Sequence, residues 1–160
     1  MQDVYINDIG IFLPNSPVTN DEIEPLLGMV GQRPSKARKI VLRNNGIQKR
    51  YYAINPQTGK MSHTNKDITI AAIQTMVRDN RDLNDIECLA CGTASPDQLQ
   101  PSHAVMVHGE AGIPSCEVAS FSGICASGIQ SLKYAYMSVM TGQAKQAIST
   151  GSEVASAAMR

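Results

Sequence analysis

The chain has no tryptophan and only five tyrosines and two phenylalanines in 160 residues. So few rings argue against a surface that stacks nucleic-acid bases. It has no charge excess either: fourteen Lys plus Arg balance fourteen Asp plus Glu. No net field therefore recruits nucleic acid or an anionic membrane. No apolar run approaches the roughly 18 residues that a membrane-spanning helix needs. The first residues, Met1-Gln2-Asp3-Val4, have neither the basic segment nor the apolar core of a secretion signal. With 42% hydrophobic and 18% charged residues, the composition is that of a globular chain, expected to be soluble and cytoplasmic.

Charge is also scarce locally. Residues 88–160 hold seven charges in 73 positions: Asp97, Glu110, Glu117, Lys133, Lys145, Glu153 and Arg160. About a quarter of residues are charged in ordinary domains. This half is therefore expected to be deeply buried or to meet a partner.

Four cysteines in a cytoplasmic chain are read as free thiols, ligands or nucleophiles rather than disulfides. Cys88 and Cys91 are spaced as CxxC, but they lie in an apolar strand, Ile86 to Gly92, where residues three apart face opposite ways. A redox pair needs a helix start, and no second ligand pair exists for zinc. Both are read as core residues.

Along the chain, Val4 to Phe12 predicts a strand and Thr19 to Glu22 a capping box opening a short helix that stops near Gly28. Ser35 is expected to cap a basic helix that leaves through Gly46. A strand is expected over Ile47 to Ala53, then a turn at Asn55 to Gly59. From Thr64 the pattern alternates: helix to about Asp79, strand 86–92, helix 101–109, strand Cys116 to Phe121, helix Cys125 to Thr141, strand Gln146 to Thr150. That order argues for an α/β layered fold with a largely parallel sheet.

The helix from Cys125 to Thr141 carries one charge, Lys133. Its small residues, among them Ser127, Gly128, Ser131, Ala135 and Ser138, are distributed around its circumference. An outer-layer helix shows a charged face, so this one is expected at an oligomer interface or sandwiched between sheets. Cys125 stands at its N-terminus, where unpaired amides favour a thiolate and an oxyanion. It is the candidate nucleophile, against the plain alternative of a small core residue.

Three blocks carry a resemblance. Gly92-Thr93-Ala94-Ser95-Pro96-Asp97 through Pro101-Ser102-His103-Ala104, Ser120-Phe121-Ser122-Gly123-Ile124-Cys125-Ala126-Ser127-Gly128, and Ser149-Thr150-Gly151-Ser152-Glu153 resemble ketoacyl-acyl-carrier-protein synthase III, of the thiolase superfamily. Ile9 to Pro14 and Gly46-Ile47-Gln48-Lys49-Arg50 are similar to that family's opening motifs. The resemblance implies an α/β thiolase-like half of βαβαβαββ type, with a mixed sheet and a buried central helix. Two such halves make a five-layer αβαβα fold, and residues 1–160 correspond to the N-terminal domain.

In such enzymes Cys125 would take an acyl group from coenzyme A or acyl carrier protein. A malonyl extender on carrier protein then loses carbon dioxide and attacks the acyl-enzyme in a Claisen condensation. No resident cofactor or metal is implied. The family's catalytic His and Asn belong to the second half; His63, His103 and His108 fall in none of the corresponding blocks. A fragment of this kind is expected to be inactive alone. The family's adenine-stacking tryptophan has no counterpart in Ser35 to Asn45, so an acyl carrier protein stands beside coenzyme A as donor.

Arg33, Lys36, Arg38, Lys39, Arg43, Lys49 and Arg50 are half of all basic residues, with no acid between them. Arg38, Arg43 and Arg50 are the candidate substrate-binding residues for a phosphopantetheine or an acidic carrier protein; a solvated helix face is the alternative. The resemblance also implies a homodimer formed through the strand Cys116 to Phe121. Two other functions remain open: a cysteine-dependent acyl transferase or thioester hydrolase using a local histidine, and a non-catalytic partner subunit of a condensing heterodimer.

Overall fold

The computed structural model describes residues 2–78 and 82–157. These form two compact units, one of Met1–Phe12 with Thr64–Glu153, the other of Leu13–His63 with Val154–Arg160.

The first unit holds helices and strands in strict alternation. With two short strands and two short helices of the second unit numbered ahead of them in the chain, they are α3 (Asn65–Arg78), β3 (Cys88–Gly92), α4 (His103–Ala111), β4 (Glu117–Phe121), α5 (Ser127–Met140) and β5 (Ala147–Gly151). The sheet order is β4-β3-β5, all parallel, with Gly92 opposite both Phe121 and Gly151. Right-handed crossovers from β3 to β4, and back across β3 to β5, put α4 and α5 on opposite faces. Leu89 and Cys91 accordingly join Ile73, Ala104, Val107 and Ile148 in the core beneath α3 and α4. On the α5 side, Ser138 is buried in the face turned to the sheet.

Every residue of β3 is buried, so Cys88 and Cys91 are core thiols, as their strand context predicts. Burial pushes the Cys91 thiol up to about 11, and burial raises Cys88 as well.

α3 begins with a reciprocal cap. The Thr64 N–H donates to Asp67 Oδ2 (2.9 Å) and the Asp67 N–H to Thr64 Oγ1 (3.1 Å). Asp97 adds a second cap from the loop after β3, accepting from the Asn65 and Lys66 amides at 2.7 and 2.8 Å.

The small residues of α5 do not encircle it. Ser127, Ser131, Ala135 and Ser138 recur at helical spacing on the one face that packs against the sheet. There Ser131 Oγ donates to the Gly128 or Thr150 carbonyl (both 2.8 Å) and contacts Ser149 Oγ (3.0 Å). The opposite face exposes Ile129, Leu132, Tyr136 and Met137. This helix is therefore covered on its sheet side, and its charge deficit lies on an open apolar side.

The expected strand over Val4 to Phe12 is not among the strands of the described residues. The segment is pinned near both ends instead. Gln2 donates to the Met140 carbonyl at 3.2 Å, and Gly10 packs so closely on α3 that a β-carbon there would lie 2.3 Å from the Ala72 carbonyl oxygen.

In the second unit, β1 (Val18–Thr19) pairs antiparallel with β2 (Lys49–Arg50), flanking α1 (Ile23–Leu27) and α2 (Arg38–Asn45). The expected strand over 47–53 shrinks to β2, because β1 offers only two residues to pair. Only half of the Thr19 capping box forms: Glu22 accepts the Thr19 N–H and hydroxyl at 2.8 and 2.6 Å, while α1 itself starts one residue after Glu22. Those bonds, the hydroxyl's first, hold the Glu22 carboxyl below its ordinary range. Ser35 does not cap α2; its N–H donates to Glu24 Oε1 and its carbonyl accepts from Arg38. Gly46, at φ 67°, ends α2 in the left-handed conformation as expected. Among the described residues, no helix is long and apolar enough to cross a membrane.

Candidate active site

β3, β5 and α5 meet through glycine. A β-carbon on Gly92 would fall 2.2 Å from the Ser127 carbonyl oxygen, and one on Gly151 would fall 3.2 Å from the Gly128 α-carbon. The carboxyl ends of two strands therefore touch the first turn of α5 backbone to backbone, which fixes where the residues just before α5 stand.

Those residues are a 3-10 turn, Ile124–Ala126, with Cys125 at its centre. Ile124 has φ 50°, a left-handed conformation that a β-branched side chain rarely adopts. Strain of this sort costs about 1–3 kcal/mol and persists only where surroundings over-determine it. Here they do: the Gly123 N–H donates to Ser127 Oγ (2.9 Å), Ser127 Oγ to the Ile124 carbonyl (2.8 Å), and the Ala126 N–H to the Gly123 carbonyl (3.0 Å). The result is a tight turn that holds Cys125 outward. Of the four cysteines, Cys125 alone is exposed, while Cys116 is half-buried.

This placement corrects one expectation. Cys125 does not open the α-helix but precedes it, and the Ala126 and Ser127 amides are already spent on the Gly123 and Ile124 carbonyls. They are not free to cradle an oxyanion.

A polar network unforeseen from the sequence ties the strand ends to α3 and α4. Asn65 Nδ2 donates to Thr93 Oγ1 (2.7 Å) and to the Ser95 carbonyl (2.8 Å). Glu153 accepts from the Ser95 hydroxyl and the Ala94 N–H. Ser152 donates its N–H to the Gly92 carbonyl, and its hydroxyl meets Thr69 (2.8 Å) and His103 Nε2 (3.4 Å). His103 is buried, and burial pushes it below its ordinary value against the pull of Asp97 and Glu153. His108 bonds the Pro114 carbonyl at 2.9 Å. Both are structural, as read from the sequence. The signal for this network was present in the polar run 93–97, though without its partners.

The three candidate arginines lie in the second unit. Arg38 and Arg43 line a cavity of about 370 Å³ together with Asn20, Asp21, Lys39 and Ile47. Arg50 does not line it but donates to Asn20 Oδ1 at 2.7 Å. Arg38 is spoken for: its guanidinium lies 3.3 Å from Glu24 and 3.7 Å from Asp21 and donates to the Asn20 carbonyl. Arg43 and Lys39 have no ion pair among the described residues, so they are the cavity's available cations.

No family model matches the chain. It is 29% identical to beta-ketoacyl-acyl-carrier-protein synthase III 1 of Deinococcus radiodurans, over 99% of this chain and 43% of that relative. Its fold matches that of a tetronic acid condensing enzyme with a TM-score of 0.79, at 22% identity, covering 93% of this chain and 43% of that one. It also matches 3-oxoacyl-acyl-carrier-protein synthase III from Aquifex aeolicus, with a TM-score of 0.76, at 21% identity, covering 94% and 44%. The chain thus spans less than half the length of the curated relatives it matches. Within that span it has the thiolase-like α/β fold, and its resemblance to the N-terminal half of a synthase III-type condensing enzyme holds.

Proposed function

We propose that Cys125 is the acyl-accepting nucleophile of a synthase III-like condensing enzyme. The observation that carries this reading is the strained Ile124 turn, which exposes one thiol of four just ahead of α5. In the first half-reaction the Cys125 thiol gives up its proton and attacks an acyl thioester as the thiolate, and the donor's sulfur leaves as a thiolate that takes up that proton. In the second, a malonyl-type extender on acyl carrier protein loses carbon dioxide. Its carbanion attacks the Cys125 thioester, forming a carbon–carbon bond and releasing the Cys125 thiolate.

Arg43, with Lys39 beside it, would bind the anionic part of the donor, whether coenzyme A or the phosphopantetheine of a carrier protein. Arg38 would form part of the cavity wall, and Arg50 would hold Asn20 in it. The hydrolase reading loses support because His103 and His108 are engaged by Thr69, Ser152 and Pro114. The partner-subunit reading has no use for an exposed thiol on a strained turn.

Incubation of the full-length protein with an acyl thioester, followed by intact mass measurement, tests the proposal. One acyl mass should appear on the chain and vanish in Cys125→Ser. An acyl group found on another residue, or none on a chain whose Cys125 still reacts with a small disulfide reagent, overturns it.

A further inference from the structure

Ser127, the first residue of α5, grips the turn before it from two sides. Its hydroxyl accepts the Gly123 N–H at 2.9 Å and donates to the Ile124 carbonyl at 2.8 Å. Its own N–H bonds that same carbonyl. One oxygen thus ties an amide just before Ile124 to the carbonyl just after it, with the φ of 50° between them. The serine is itself anchored, because its carbonyl group lies against Gly92 of β3, and it is buried. Ser131, one turn later, turns its hydroxyl to the Gly128 carbonyl and to Ser149 and Thr150 of β5, and so serves helix and sheet. Both hydroxyl partners of Ser127 belong to the turn instead.

We propose that Ser127 is a positioning residue for Cys125: its hydroxyl holds Ile124 left-handed and so sets the direction from which the thiol meets an acyl thioester. A β-branched residue leaves that region unless it is held there. Alanine at position 127 would keep the N–H bond to Ile124 and lose both hydroxyl bonds. Rotation at Ile124 then swings Cys125, the next residue, while α5 stays seated on Gly92 and Gly151. A reacting atom misplaced by a fraction of an ångström slows a bound reaction far more than it weakens binding. The role in acyl transfer rests on the nucleophile reading above; the grip on Ile124 rests on hydrogen bonds and backbone conformation alone.

The test follows acylation of Cys125 by acetyl-pantetheine in the full-length protein, as a limiting rate and a half-saturating concentration. Ser127→Ala should lower the limiting rate about tenfold and leave the half-saturating concentration within about twofold, with circular dichroism unchanged. In an Ile124→Asn background the same substitution should cost no more than about threefold, because asparagine adopts the left-handed conformation far more readily. A limiting rate unmoved by Ser127→Ala overturns the proposal, as does a loss carried by the half-saturating concentration or one undiminished in the Ile124→Asn background. Urea unfolding gives a second reading that needs no acylation. Ser127→Ala should lower the midpoint less in the Ile124→Asn background than in the unaltered protein, and equal shifts would overturn the grip. Ile124→Asn alone should raise the midpoint, since Ile124 is 76% exposed and gives up strain rather than core contact; a lowered midpoint would mean that no strain is held there, even if Ser127→Ala does not fold. An unaltered protein that takes no acyl group on Cys125 would sink the nucleophile reading, while the coupling in unfolding would still decide the grip of Ser127 on Ile124.

Discussion

Gly92 and Ser127 are in backbone contact: a β-carbon on the glycine would sit 2.2 Å from the serine carbonyl oxygen and 2.4 Å from its carbon. Neither atom belongs to a flexible side chain, so the clash can be relieved only by moving α5 away from β3. Gly92→Ala should therefore cost about 3 kcal/mol or more, at or beyond the upper end for overpacking. It should also displace the turn that carries Cys125. Denaturant unfolding would show the first effect and a changed alkylation rate at Cys125 the second. A variant of unchanged midpoint would mean that the contact is slack.

The four thiols are sorted by burial, and so should be their chemistry. Cys125 should react first with iodoacetamide, Cys116 more slowly, and Cys88 and Cys91 only on unfolding. Alkaline pH gives a second reading. Because burial holds Cys91 at about 11 while the unfolded thiol titrates near its ordinary 9.0, the native state binds more protons between those values. Its share of stability is intact below pH 9 and falls as pH rises toward 11, by up to about 1.4 kcal/mol per pH unit. Cys91→Ala should flatten that alkaline decline, and an unaltered slope would exclude Cys91 as its source.

The order of elements from α3 to β5 was legible because each follows from local pattern: apolar spacing, a helix start at Thr64, glycine exits. Cys125 was legible for another reason, its place in a block resembling a known family. Features that depend on distant partners were not. Val4 to Phe12 has the composition of a strand, but a strand exists only through its ladder, and none is assigned there among the described residues. The run 33–50 shows seven cations in sequence, yet Arg38 is neutralised by Asp21 and Glu24 from further up the chain. The strain at Ile124 is invisible in sequence because isoleucine signals no turn. It is imposed by Gly92, Gly128 and Ser127 around it.

His103 sets an acid limit on the same unit. Burial favours its neutral form, so its native value lies below the ordinary 6.5 despite Asp97 and Glu153. Thr69 of α3 and Ser152 after β5 are its hydroxyl neighbours, and its Nδ1 has no partner among the described residues. As pH falls through 6.5 the unfolded histidine protonates first; stability present above that value is then lost as pH drops toward the native one. His103→Gln should remove this component of the decline between pH 7 and 5 in urea unfolding. An identical acid slope in the variant would show that His103 titrates normally.

Tyr134, on α5, donates its hydroxyl to Glu117 at the start of β4, and that bond, with desolvation and the carboxylate's charge, pushes the phenol up to about 12. An ultraviolet titration should show one tyrosine ionising well after the rest. Glu117→Gln should return it toward 10, whereas a unimodal titration of the unaltered protein would mean that the bond does not persist in solution.

β4 is also an edge. Among the described residues it pairs with β3 on one side only, and its outer backbone groups are open to another strand. Exposed edges of this sort invite pairing with a second chain, and the commonest closed solution is a two-fold dimer in which each edge meets its own copy. Glu117 sits at one end of the five-residue strand, so antiparallel pairing would carry the two Glu117 side chains to opposite ends and avoid like-charge contact. We expect light scattering at micromolar concentration to give the mass of two chains, and hydrogen exchange at β4 to quicken on dilution. A monomer at that concentration, or β4 amides that exchange alike at all concentrations, would rule out this edge as the contact.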